Sequence, residues 1–102
     1  MPKQFDWDDK NAHKNWNKHH VSVSECEEIF LNEPLLIADV DKSKILYREN
    51  RAIAHGTTNA GRMLFVVFTI RGEKVRVISA RDMNRKERRF YHDETKKAAP
   101  PI

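Results

Sequence analysis

The sequence lacks the features of a secreted, membrane-bound or disulfide-stabilised protein. Its 102 residues include one cysteine, Cys26, which excludes an internal disulfide and a zinc site built from cysteines alone. No segment approaches the roughly 20 consecutive apolar residues that a membrane helix needs. Residues 1–10 contain no apolar stretch of the kind found in secretory signals. We therefore expect a cytoplasmic protein that does not enter a membrane.

The sequence also lacks the common motifs of nucleotide-dependent and cofactor-dependent enzymes. It has no Walker phosphate loop, no GxGxxG and no GxSxG. Its one histidine cluster is His19-His20, and adjacent side chains on a helix diverge too far to chelate one metal readily. A small-molecule enzyme finds no further support, because no paired carboxylates mark a site. We therefore expect no cofactor and no metal.

Positive charge is concentrated in the second half of the chain. Residues 1–50 contain 7 Lys and Arg against 10 Asp and Glu, whereas residues 51–102 contain 12 against 5. Basic charge confined to one half of a small domain favours a surface for a polyanion, of which nucleic acid is the commonest in a cytoplasm. The alternative is a solvated surface that only keeps the protein soluble.

Two helices are predicted near the N-terminus. After an extended piece at Phe5-Asp6-Trp7, Asp8 or Asp9 can cap a helix that ends near Lys18 or His19. The residues expected to share one face of this helix are Ala12, Trp16 and His19. A second helix begins at Ser22 with a capping-box pattern and stops before Pro34. Its apolar stripe consists of Val23, Cys26, Ile29 and Phe30.

The remaining chain changes from helical to extended periodicity. Strands are predicted at residues 35–38, 51–55, 63–68 and 74–79, with a turn at residues 56–61 and a last helix at residues 84–92. This order indicates an α+β fold, in which helices cover one face of an antiparallel sheet and the other face can hold a ligand. We expect one domain over residues 1–95 and a disordered tail over residues 96–102.

The strongest candidates for chemistry are arginines of the second half. They are Arg51, Arg62, Arg76, Arg81, Arg85, Arg88 and Arg89. A guanidinium binds phosphate through two parallel hydrogen bonds and stays charged at any cellular pH. RNA cleavage through the 2′-hydroxyl passes through a dianionic pentavalent phosphate, which needs fixed positive charge and proton transfer at both ends. Arginines supply the charge without a metal, and His19, His20 or Tyr91 could transfer the protons.

Each candidate also has a purely structural interpretation. His19 could be a partly buried, hydrogen-bonded histidine, and His55 could fill a strand end. Tyr91 could pack the last helix onto the sheet, and Glu87 could neutralise neighbouring arginines through weak surface pairs. Cys26 lies on an apolar stripe and is expected in the core. Residue types alone therefore leave ribonuclease chemistry as one hypothesis among several.

A series of motifs, in order, resembles the BrnT toxin family. Phe5-Asp6-Trp7-Asp8 is similar to its F-x-W-D opening, residues 15–19 to its N-x-x-K-H, and residues 23–26 to the helix that follows. Residues 51–56 fall on R-x-x-x-x-G and residues 61–64 on G-R-x-L. Residues 76–81 resemble R-I-I-S-A-R, and residues 85–91 match R-x-E-R-x-x-Y. The resemblance covers about residues 5–92.

The resemblance implies a RelE-like fold and a ribonuclease that needs neither metal nor cofactor. Such proteins cut RNA, inhibit translation and are neutralised by a BrnA-like antitoxin. The antitoxin binds DNA, so the operator is reached only through the toxin–antitoxin complex, which represses its own operon. A catalytically degenerate nucleic-acid-binding or regulatory module of the same fold is the alternative.

The resemblance also implies roles for particular residues. The implied sources of transition-state charge are Arg81 and Arg76. Lys18 and His19 are candidates for proton transfer or phosphate contact, and Tyr91 completes the catalytic set. The residues expected to hold the RNA backbone are Arg51, Arg62, Arg85 and Arg88.

Two histidines depart from the family pattern. Glycine usually follows the Lys-His pair, in a position suited to a left-handed helix cap, and this chain has His20 there. Either His20 adopts the strained conformation, or the helix ends differently and His19 moves. At His55 the family more often has an apolar residue. Both changes could add proton donors, or they mark drift in a toxin under weak selection.

Overall fold

The described part of the chain contains three helices and one four-stranded sheet. The computed structural model describes residues 4–39 and 51–98. Its elements are α1 (Asp9–His19), α2 (Val23–Leu31), β1 (Leu36–Asp39), β2 (Ala52–Thr57), β3 (Met63–Arg71), β4 (Lys74–Asp82) and α3 (Arg85–Ala98). The strands pair antiparallel in the order β1-β2-β3-β4. The predicted α+β class, with two N-terminal helices and a C-terminal helix beside a small antiparallel sheet, is confirmed.

The last helix is longer than its periodicity predicted. α3 continues through residues 96–98 of the segment expected to be a disordered tail, and residues 99–102 lie outside the described part of the chain. None of the three described helices is long and apolar enough to cross a membrane.

All three helices begin with reciprocal side-chain and backbone hydrogen bonds. The Asp8 carboxylate accepts a hydrogen bond from the backbone amide of Asn11 at 3.0 Å. The side-chain oxygen of Asn11 accepts one from the backbone amide of Asp8 at 2.7 Å. Ser22 and Glu25 form the same capping box at the start of α2, as predicted. At α3 the partners are Asn84 and Glu87. These bonds satisfy backbone donors that the first turn of a helix leaves without partners.

The hydrophobic core lies between α2 and one face of the sheet. The apolar stripe of α2 is confirmed at its centre, because Cys26, Ile29 and Phe30 are buried. Their neighbours in the core include Ala54, Leu64, Val66, Phe68, Val75, Val77 and Ala80. The expectation that Cys26 is a core residue is confirmed, and burial raises the pKa of its thiol to about 12.

The prediction that a turn begins at Gly56 is wrong. Gly56 pairs with Leu64 inside the ladder, and β2 continues to Thr57. A Cβ atom at Gly56 would lie 2.8 Å from the Cβ of Ile29. Glycine is therefore required here by the close approach of α2 to β2, which sequence periodicity does not reveal.

The C-terminal helix lies against the other face of the sheet. Successive side chains of a strand point to opposite faces of the sheet. The side chain of Ala54 points into the core, so that of His55, the next residue, points to the other face. The His55 ring contacts the Phe90 ring of α3, with 5.5 Å between centroids. Helices therefore lie on both faces, rather than on one face as the sequence suggested.

Helix α1 packs beside β4 through asparagines. Asn15 accepts from the Ala80 amide at 2.9 Å, and Asn11 donates to the Val77 carbonyl at 3.2 Å. Both asparagines are buried, whereas Trp16 is 51% exposed. The predicted face of Ala12, Trp16 and His19 is therefore not the one that packs against the strand.

The N-terminal segment extends the sheet next to β4. Phe5 forms an isolated parallel bridge with Val75, which agrees with the predicted extended piece. The Phe5 ring lies 5.7 Å from that of Phe30, and the Trp7 indole donates to Glu27 at 2.7 Å. This segment is thereby fixed to both β4 and α2.

Candidate nucleic-acid interface

Arg81 lies at the end of β4, where α3 begins soon afterwards. Its Nη1 donates to Oε1 of Glu87 at 2.7 Å and to the Asp82 carbonyl at 3.1 Å, and its Nη2 donates to Oε2 of Glu87 at 2.9 Å. The guanidinium carbon lies 4.1 Å from the centroid of the Phe65 ring, directly across the β3–β4 ladder. A bidentate carboxylate and an aromatic face therefore fix its orientation.

Part of the Arg81 guanidinium remains available to a ligand. Among residues 4–39 and 51–98, its Nε–H and its second Nη2–H have no acceptor, and the side chain is 34% exposed. The hydrogen bonds that Arg81 donates to Glu87 raise the pKa of Arg81 and lower the pKa of Glu87. Arg81 is therefore a fixed cation with free donors.

Arg62, predicted to hold RNA, uses its donors within the protein. Its Nε and Nη2 form hydrogen bonds to the Asp82 carboxylate at 2.6 and 3.1 Å, and its Nη1 donates to Glu25 at 3.1 Å. Its remaining donors reach the carbonyls of His20 at 2.8 Å and His19 at 3.0 Å. All five N–H groups of this side chain thus join the end of α1, the start of α2 and the end of β4.

His19 and Arg88 lie near the same carboxylate as Arg62. The hydrogen bond from Arg62 lowers the pKa of Asp82, and the positive charges of His19 and Arg88 lower it further. The side chain of His19 is exposed, as is that of Lys18, so the interpretation of His19 as a partly buried histidine is wrong. The C-terminal end of α1 and the N-terminal end of α3 therefore meet around the end of β4.

His20 adopts the left-handed conformation that glycine would favour. Its φ and ψ are 54° and 39°, and its amide donates to the Trp16 carbonyl at 2.9 Å. Its ring lies 5.3 Å from the Trp16 ring in an edge-to-face contact. Of the two alternatives left by the sequence, the first therefore holds: α1 keeps its left-handed cap, and the cap directly follows His19.

Two predicted arginines are exposed at the start of α3. Arg85 is its first residue, and Arg88 donates from Nη1 to the Met83 carbonyl at 2.8 Å. Both lie on the helix that carries Glu87. Together with Lys18, His19 and Arg81, they form what we call the β4-end site.

Tyr91 lies in a buried position. Its hydroxyl bonds to the Pro34 carbonyl at 2.6 Å and to the Thr57 hydroxyl at 3.0 Å, and the residue is 3% exposed. These contacts attach α3 to the end of β2 and to the segment before β1. The structure thus places Tyr91 in the packing role that the sequence left open, with its hydroxyl already bonded.

His55 lies within β2, under α3, and not at a strand end. Its ring lies 5.3 Å from that of Phe65, which in turn pairs with Arg81 across the ladder. Burial lowers the pKa of His55, a nearby Glu87 charge opposes this shift, and Arg81 adds to it. His55, Phe65 and Arg81 therefore form one row across the sheet.

Two further predicted arginines, Arg51 and Arg76, are placed elsewhere. Arg76 Nη2 donates to Asp8 at 2.7 Å, and its Nη1 lies 3.5 Å from the carboxylate of Asp6. Arg51 and Arg76 line a cavity of about 350 Å³ between α1 and β4, together with Lys10 and Lys14. The two lysines were missed by the sequence analysis, although Lys10, Lys14 and Lys18 repeat every four residues, which places them on one helix face.

No described residues form a ready metal site. Within residues 4–39 and 51–98, no three histidine, cysteine or carboxylate side chains are placed to hold a metal ion. The positive charge of the β4-end site comes from arginine, lysine and histidine. These groups can bind phosphate directly and, in the case of histidine, transfer a proton near neutral pH.

The chain matches a known protein family over most of its length. A family model described as "Ribonuclease toxin, BrnT, of type II toxin-antitoxin system" matches residues 7–87. The matched region runs from the segment before α1 to the first turn of α3, and it includes Lys18, His19 and Arg81. The comparison with curated proteins finds no match.

Proposed function

Because this chain belongs to the BrnT family of ribonuclease toxins of type II toxin–antitoxin systems, we propose that it is an endoribonuclease that cleaves RNA without a metal ion and thereby inhibits translation. The main support is the geometry of Arg81. This guanidinium is fixed by Glu87 and Phe65, yet it keeps two free N–H donors at the surface. It lies beside a second group of cations at the end of β4.

The proposed reaction uses the 2′-hydroxyl of RNA as the nucleophile. His19, exposed at the end of α1, accepts the proton of that hydroxyl as its oxygen attacks the adjacent phosphorus. Arg81 donates its free N–H groups to the phosphate oxygens, where negative charge accumulates in the transition state. Lys18 donates a proton to the 5′-oxygen as its bond to phosphorus breaks, which leaves a 2′,3′-cyclic phosphate on the cleaved strand.

Five further predicted residues divide into two groups by their contacts. Arg85 and Arg88 are exposed next to this site, and we propose that they hold the RNA backbone. Arg62, Arg76 and Tyr91 already bond to other parts of the protein. Their proposed role is to position the elements that carry the reacting groups.

The partner we propose is a BrnA-like antitoxin. A type II family implies an antitoxin that binds the toxin as a protein. We propose that this antitoxin also binds DNA and that the complex represses its own operon, so that the toxin itself touches RNA and not operator DNA. Both activities would take place in the cytoplasm.

A second candidate is a catalytically degenerate nucleic-acid-binding or regulatory module. It is favoured by one observation: Arg62, Arg76 and Arg81 all hold carboxylates, which partly neutralise their charge. Such a module would bind RNA without cutting it. The two candidates differ in whether RNA is cleaved.

The test of this proposal is cleavage by Arg81→Ala. Removing a donor that is used in the transition state is expected to lower the cleavage rate about 100-fold or more. Circular dichroism should show that the variant keeps its fold. Arg71→Ala is the matched control and should cleave like the original protein. Arg71 is the last residue of β3, whereas Phe65, which contacts Arg81, lies near the start of that strand. Purified protein is assayed on RNA in the presence of a metal chelator, which also tests metal independence.

Expression in bacteria tests the biological role. Induction should arrest growth and degrade RNA, and co-expression of the neighbouring antitoxin gene or the Arg81→Ala change should restore growth. Full cleavage by Arg81→Ala would overturn the assigned chemistry. Intact RNA in the presence of soluble, folded original protein would favour the degenerate module.

A further inference from the structure

Four basic side chains surround an open cavity away from Arg81. This cavity, which we call the α1–β4 cavity, has a volume of about 350 Å³. Its lining residues are Lys10, Asn11, Lys14, Arg51, Arg76, Val77 and Ile78. No carboxylate of residues 4–39 or 51–98 is among them. The chemistry of the lining thus matches an anion.

The two lysines are held above the strand by the packing of α1. The buried Asn11 donates to the Val77 carbonyl at 3.2 Å and to the Asp6 carbonyl at 3.0 Å, which fixes the helix against β4. Lys14 extends over the strand, with its Nζ 3.4 Å from the Ile78 carbonyl. Lys10 lies one turn earlier on the same face of the helix.

The two lysines of the cavity are less neutralised than Arg76. Arg76 shares its charge with the carboxylates of Asp8 and Asp6. Lys10 and Lys14, in contrast, have no carboxylate partner within the described parts of the chain, and both are exposed. A lysine ammonium is a mobile point charge suited to a phosphate whose exact position varies.

We propose that the α1–β4 cavity binds a phosphate of the RNA backbone at a distance from the cleaved bond. This inference rests on the proposed ribonuclease function and extends its substrate contacts. Arg76 and Arg81 are separated along β4 by a distance of roughly 16 Å, at the usual rise per strand residue. An RNA strand that reaches both places runs along β4, so the cavity sets a minimum substrate length of several nucleotides.

The test compares two double variants in RNA binding. Lys10→Gln/Lys14→Gln removes the two lysines of the cavity. Lys96→Gln/Lys97→Gln removes two exposed lysines near the end of α3, and serves as the matched control. The probes are 2′-O-methyl RNAs, which cannot be cleaved through the 2′-oxygen: a dinucleotide, and a strand of about ten nucleotides, within the range that single-strand-binding sites cover. Affinities are measured at several salt concentrations.

The expected result depends on the length of the RNA. The cavity variant should bind the longer strand about tenfold more weakly. The slope of its log affinity against log salt concentration should become shallower by about 1, as expected for the loss of one phosphate contact. It should bind the dinucleotide like the original protein, and the control variant should match the original protein with both probes. Equal thermal unfolding of both variants checks the fold.

Three outcomes would contradict the proposal in distinguishable ways. If the cavity variant equals the control variant with the longer strand, while the original protein cleaves natural RNA, the cavity is not a phosphate subsite and the ribonuclease function stands. If inorganic phosphate alone binds the cavity as tightly as the longer strand, the ligand is a free anion. If the original protein neither binds nor cleaves RNA, the proposed function fails together with the subsite.

Discussion

Arg62 and Arg81 were both predicted as site residues from the sequence, but their contacts give them different roles. Arg62 donates all five N–H groups to Glu25, Asp82 and two carbonyls at the end of α1. Arg81 has one bidentate partner, Glu87, and keeps free donors. The partners of Arg62 are distant in the chain, and only the fold brings them together. Sequence alone therefore identified both arginines but could not separate a structural one from one available to RNA.

The family pattern left the conformation of His20 as one of two alternatives. A left-handed conformation costs a residue with a side chain about 1 kcal/mol relative to glycine. His20 has this conformation and lies against the Trp16 ring, a contact that offsets part of the strain. The position was identifiable because glycine is usual there, whereas the compensating ring contact was not.

The change His20→Gly is expected to stabilise the protein by up to about 1 kcal/mol. Glycine removes the strain at φ 54°, and the loss of the Trp16 contact reduces the gain. The measurement is the free energy of unfolding in urea. His13→Gly is the matched control, because His13 is exposed inside α1, and glycine there should destabilise by about 1 kcal/mol. Destabilisation by both changes would contradict the role assigned to the His20 backbone.

At the scale of secondary-structure elements, α1 shows why apolar periodicity was a poor guide to packing. The spacing of Ala12, Trp16 and His19 places them on one face, and buried helix faces are usually apolar, yet Trp16 is exposed. α1 instead lies beside β4, whose edge offers backbone groups that need partners. Asn11 and Asn15 supply those partners, one helical turn apart. In α2, which packs on the apolar face of the sheet, the same reasoning located the start and, apart from Val23, the buried stripe.

Asn11→Ala is expected to destabilise the protein by about 2 kcal/mol. The change removes the hydrogen bonds from Asn11 to Val77 and Asp6, and also the acceptor for the Asp8 amide at the start of α1. Asn17→Ala is the control, because Asn17 is exposed on the same helix and its change should stay within about 0.5 kcal/mol. Urea unfolding of the two variants measures the difference. Similar stabilities would show that the asparagine contacts do not hold α1 to the sheet.

Over the whole molecule, acidic residues of the first half pair with basic residues of the second half. Glu25 bonds to Arg62, and Asp8 to Arg76. Part of the positive charge that the sequence suggested for a polyanion is therefore used to join the two halves. The sequence predicted the asymmetry and the α+β class, but the division between paired and available cations depends on contacts between distant segments. Within residues 4–39 and 51–98, the exposed cations that remain available to a ligand include Lys10, Lys14, Lys18, Arg85, Arg88 and part of Arg81.

Because of these long-range ion pairs, the free energy of unfolding should depend on pH in the acid range. Burial opposes the ionisation of Glu25, but the hydrogen bonds from Ser22 and Arg62 outweigh it and lower its pKa below the ordinary value of 4.5. The hydrogen bond from Arg62 lowers the pKa of Asp82 below 3.8. A carboxyl with a lowered pKa in the folded state stabilises that state above its unfolded pKa, and this contribution is lost as the pH falls through the folded value.

Arg62→Met is therefore expected to change both the level and the pH dependence of stability. At pH 6 the variant should be less stable by about 2 kcal/mol, because hydrogen bonds to two partly exposed carboxylates are lost. Between about pH 5 and pH 3 the original protein should lose more stability than the variant, since Asp82 and Glu25 no longer have their cation in the variant. Urea unfolding at a series of pH values measures both effects.

Arg85→Met, which removes an exposed arginine, should keep the original pH dependence. If Arg62→Met and the original protein lose stability in parallel on acidification, then Arg62 does not control the ionisation of these carboxylates, and the connection between the two halves rests on other contacts.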